Sequence, residues 1–106
     1  MNSFCILTTT FPNEASAKKV IALLLEERLV ACVQMMPIQS FYRWEGKLCD
    51  EHEVLVFIKT RTLFFDKIEE LLSKHHPYMT PQLLQIPIEK GAKAYLQWMD
   101  NEIEDF

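Results

Sequence analysis

Ser40-Phe41-Tyr42-Arg43-Trp44-Glu45-Gly46-Lys47-Leu48 is the stretch whose reading decides the fold. Gly46 tolerates the positive φ that a tight hairpin requires. On either side of Glu45-Gly46-Lys47 the composition is strand-like, from about Ala31 to Trp44 and from about Lys47 to Lys59. In the second run His52, Val54, Val56 and Ile58 share one face, and Glu53, Leu55, Phe57 and Lys59 the other. Its middle is apolar on both sides, which predicts a central strand or one covered on both faces. Both runs exceed the usual strand of about five or six residues and project past a small α+β core. Their tip carries Phe41, Tyr42 and Trp44, more aromatic surface than a small monomer can cover. The expectation is a subunit interface that buries Tyr42 and Trp44; the alternative is that the rings pack beneath the C-terminal helix.

The segments flanking the hairpin alternate strand and helix. Phe4-Cys5-Ile6-Leu7-Thr8-Thr9-Thr10 is short and apolar, and Pro12-Asn13-Glu14 then supplies a turn, an N-cap and an early acid. A helix is predicted from near Glu14 to around Arg28, with Ala17, Val20, Ile21, Leu24 and Leu25 on its apolar face. After the hairpin, Thr62 is expected to cap a second helix whose stripe runs through Phe64, Ile68, Leu71, Leu72 and His75. Residues 83–88 make a short strand, which Pro87 marks as an edge or an interrupted one. Beyond Gly91 a last helix begins near Ala92, with Tyr95, Leu96, Met99 and Ile103 on one stripe and Trp98 adjoining. The order β-α-β-β-α-β plus a C-terminal helix is the α+β, ferredoxin-like arrangement, in one domain over residues 1–106.

Composition removes several functions. The chain has 106 residues, 49% hydrophobic and 25% charged, as expected of one compact domain. Lys+Arg 11 against Asp+Glu 15 gives a net charge of −4, which disfavours phosphate-tracking nucleic-acid binding. Met1-Asn2-Ser3-Phe4 opens no leader, and no apolar run approaches the ~20 residues that span a bilayer, so no membrane partner and a cytoplasmic address are expected. Cys5, Cys32 and Cys49 are odd in number and lack C-x-x-C spacing, which predicts three reduced thiols acting as small hydrophobes. There is no Gly-rich phosphate loop, since Gly46 and Gly91 are the only glycines, and no nucleophile elbow. No catalytic machinery is visible, and the chain is not expected to be an enzyme.

Lys74-His75-His76-Pro77-Tyr78-Met79-Thr80-Pro81 places two imidazoles where a helix must stop, because Pro77 restricts the residue before it and lacks an N–H. Both lie near the negative end of a helix dipole, which favours a cation. His75 continues the apolar stripe and is expected to pack inward, leaving His76 at the start of the turn as the better ligand. Adjacent helical residues point about 100° apart, so joint chelation requires the helix to end between them. Cys49 and His52, flanked by Glu51 and Glu53, fall on opposite faces of a strand and make a poor common site. Cys32 reads as a buried structural thiol.

Leu29-Val30-Ala31-Cys32-Val33, Tyr42-Arg43-Trp44-Glu45-Gly46-Lys47, Ile58-Lys59-Thr60, His76-Pro77-Tyr78, Pro81, Gly91 and Tyr95-Leu96-Gln97-Trp98 resemble, in order and spacing, the CutA divalent-cation tolerance family. The resemblance covers nearly the whole chain. It implies a ferredoxin-like subunit in a homotrimer similar to the PII signal proteins, with a role in metal-ion tolerance and in binding copper or another divalent cation. Members proposed to bind copper use a cysteine near the end of the first strand with the histidine pair before Pro-Tyr. The pair matches His75 and His76, but Thr9 stands at the cysteine position, and its hydroxyl is a poor ligand for a soft ion. A second reading is a PII-like sensor of a small ligand at subunit clefts, with Lys59, Arg43 and Tyr78 around an anion. RNA-binding or acylphosphatase-like uses of the fold lack the segments they need.

Overall fold

The computed structural model describes residues 3–104; Met1 and Asn2, where the reading of no leader starts, lie outside the described residues. The hairpin consists of β2 (Val30–Trp44) and β3 (Lys47–Arg61), each 15 residues long, paired antiparallel from Val30 opposite Thr60 to Trp44 opposite Lys47. Glu45 and Gly46 alone join them, with φ of 48° and 79°. Two successive left-handed residues are the signature of a type I′ turn, whose twist matches that of the strands it connects. A bulge between Val30 and Cys32 ends the regular ladder at the other end.

β1 (Phe4–Phe11) lies between β3 and β4 (Leu84–Pro87), giving the order β2-β3-β1-β4 with every neighbouring pair antiparallel. Pro87 therefore sits on an edge strand, as its missing N–H demands. The central position of β3 explains why its middle is apolar on both faces. On one face, Cys5, Leu7, Phe11, Val54, Val56 and Ile58 form a buried cluster with Val20 and Leu24 of α1 (Glu14–Glu26) and Ile68 and Leu72 of α2 (Phe65–His75). On the other, Leu55 and Phe57 are half-buried, while Met36, Leu84 and Ile86 stay exposed.

Asn13 caps α1 by accepting the Ser16 N–H on Oδ1 at 2.8 Å. The helix ends in a Schellman motif: Leu29 N–H reaches the Leu24 carbonyl and Arg28 N–H the Leu25 carbonyl, with Arg28 left-handed at φ 56°. Leu25, expected on the buried face, is exposed, because that face narrows to Ala17, Val20 and Leu24. Thr62 does not cap the second helix. Its N–H bonds to the Ser3 carbonyl at 3.0 Å, and a 3-10 turn over Thr62–Phe64 intervenes before α2 begins.

α3 (Lys93–Glu102) buries Met99, with Ile103 just beyond its end, but leaves Tyr95 and Trp98 largely exposed. Its C-terminus is held by Arg28, whose guanidinium donates to the Asn101 and Glu102 carbonyls at 3.2 Å. Arg61, buried on β3, pairs with Asp100 at 3.0 Å. No helix among the described residues is long and apolar enough to cross a membrane.

Candidate functional site: the exit of α2 and the cleft beside it

α2 stops where Pro77 dictates. His76 is its C-cap with ψ at 135°, and its N–H closes the last turn on the Leu72 carbonyl at 2.8 Å. The expected orientation of the two histidines is reversed. The buried stripe ends at Leu72, and His75 in the final turn is exposed. His76 is the half-buried one: its ring stacks on Phe11 with centroids 4.3 Å apart and planes 17° from parallel.

Both nitrogens of His76 are engaged. Tyr78 donates its backbone N–H to Nδ1 at 3.1 Å, so the proton of the neutral ring resides on Nε2. Nε2 donates to the Thr10 carbonyl at 2.9 Å, and the Thr9 hydroxyl lies 3.3 Å from the same nitrogen. Burial pulls the imidazole below its ordinary pKa, outweighing the opposite influences of the Thr10 carbonyl and Glu53. The sequence position read as the missing cysteine thus does meet His76 in space, while His75 is exposed.

The donor set decides whether a copper centre of the implied kind fits here, and it does not. Thr9 is fully buried and offers a hydroxyl instead of a thiolate, and His76 has no unengaged lone pair. Cys5, four residues back along β1, lies opposite Thr60. Among the described residues no three His, Cys, Asp or Glu side chains converge as a metal cage. Cys49 and His52 fall on opposite faces of β3, paired with Tyr42 and Gln39 respectively.

Within one chain, Lys59, Arg43 and Tyr78 have separate surroundings. Lys59 donates to the Tyr95 hydroxyl at 3.1 Å, Tyr78 donates to Glu53 Oε2 at 2.7 Å, and Arg43 lies near the hairpin tip opposite Leu48. What the turn forms instead is a cleft of about 790 Å³ between Pro77-Tyr78-Met79 and the hairpin's Tyr42, Trp44, Glu51 and Glu53. Sequence reading missed Glu51 and Glu53 as site residues, although strand alternation and register place them on the same face as Tyr42 and Trp44. Tyr42's phenol is pushed up to about 12 by burial and by Glu51, and Tyr78's is raised by burial and its bond to Glu53.

Comparison with known proteins bears on the whole chain. A profile described as "CutA1 divalent ion tolerance protein" matches residues 5–102. The divalent-cation tolerance protein CutA of Thermus thermophilus is 38% identical over 95 residues, spanning 89% of this chain and 92% of its own. That of Yersinia pestis is 42% identical over 100 residues, 93% of this chain and 83% of its own. Among solved structures, CutA1 from Oryza sativa superposes with a TM-score of 0.93 at 33% identity, covering 98% of this chain and 96% of that one. The Archaeoglobus fulgidus CutA, described as a periplasmic divalent cation tolerance protein, gives 0.92 at 37% identity, covering 95% and 99%.

Proposed function

Because the chain belongs to the CutA1 divalent ion tolerance family, we propose that it works in divalent-cation tolerance as a homotrimer with a weak, surface-level contact for copper or another divalent ion at the exit of α2. The family is not known for enzymes, and catalysis forms no part of this reading. The observation that carries the ion contact is the pair at the helix end. His75 is exposed at the negative pole of α2 and acts as first ligand. His76 joins only if the turn rearranges and releases Thr10 and Tyr78.

The trimer reading rests on the hairpin tip, where Tyr42 is 38% and Trp44 49% exposed, and on the exposed apolar residues of the open sheet face. The cytoplasmic address rests on three free thiols, in contrast with the Archaeoglobus relative described as periplasmic.

Copper titration by calorimetry of chelator-treated wild type, His75→Ala, His76→Ala and Thr9→Cys tests the ion contact. His75→Ala should abolish the weak binding, whereas His76→Ala and Thr9→Cys should leave it nearly unchanged, since buried Thr9 meets His76 and not the exposed His75. Equal affinity in all four proteins would rule out this site.

A small-ligand reading is favoured by one specific observation, the cleft, whose volume lies within the range of small-molecule sites.

A further inference from the structure

We draw no further inference here: the strongest candidate, the side-chain cluster of Lys59, Tyr95 and Trp98 where α3 meets the open sheet face, adjoins the surface given to the proposed trimer, and nothing in the structure shows what covers it.

Discussion

His76 shows how one side chain ties three segments together. Its ring lies on Phe11 of β1, its Nε2–H donates to Thr10, and its Nδ1 receives the backbone of Tyr78, which in turn holds Glu53 of β3. A second proton has nowhere to go, since Nδ1 faces another donor. Because the folded pKa is depressed below the unfolded value of about 6.5, the unfolded chain binds the proton more readily. The stability that depends on the neutral ring is therefore complete above about pH 6.5 and declines as pH falls below it, levelling off under the folded pKa. Melting temperatures of wild type and His76→Gln across that interval should show the wild type losing more on acidification. Parallel curves would remove His76 from the account. The sequence marked this residue as special through Pro77, yet assigned the inward place to His75. Periodicity says on which side of a helix a residue falls; it does not say how far along the helix the core extends, and here the core stops at Leu72.

At the scale of elements, the hairpin was the most legible part of the chain, because alternation and Glu45-Gly46 both specify it. Its cost is also visible: Glu45 is a non-glycine residue at φ 48°. Asn-Gly is the preferred I′ pair, so Glu45→Asn should stabilise the protein by roughly 0.5–1 kcal/mol, read as a higher urea midpoint at unchanged slope. A lower midpoint would mean that Glu45 makes a contribution at the tip that outweighs its backbone strain. Helix ends were less legible. Arg28 looks like the last residue of α1, but its left-handed backbone closes that helix and its side chain closes α3, more than seventy positions away in the chain. A cap supplied from so far along the sequence leaves no local pattern. The cleft was hidden for the same reason: Glu53 meets Tyr78 only after β3 and the turn beyond α2 are brought side by side.

For the whole molecule, the ferredoxin-like order of elements followed from the sequence, and the superpositions on CutA1 structures agree with it. The proposed trimer rests on surface that the single chain leaves bare. If Trp44 is a central anchor between subunits, Trp44→Ala should weaken association by about 2 kcal/mol or more, seen by light scattering as dissociation at protein concentrations where the wild type stays trimeric. A wild type that is monomeric at micromolar concentration would overturn the trimer. The hairpin, with 15 residues in each strand, also sets an order in time. A two-residue turn lets β2 and β3 zip within about 1–10 μs, whereas β1 must find Thr60 on one side and Pro87 on the other before the sheet is complete. In that interval the newborn ribbon has two long unpaired rims, each a template for a stranger's strand. β2 keeps an outer rim in the finished sheet too, and Pro37 midway along it brings no N–H, the kind of residue that edge strands carry against such pairing.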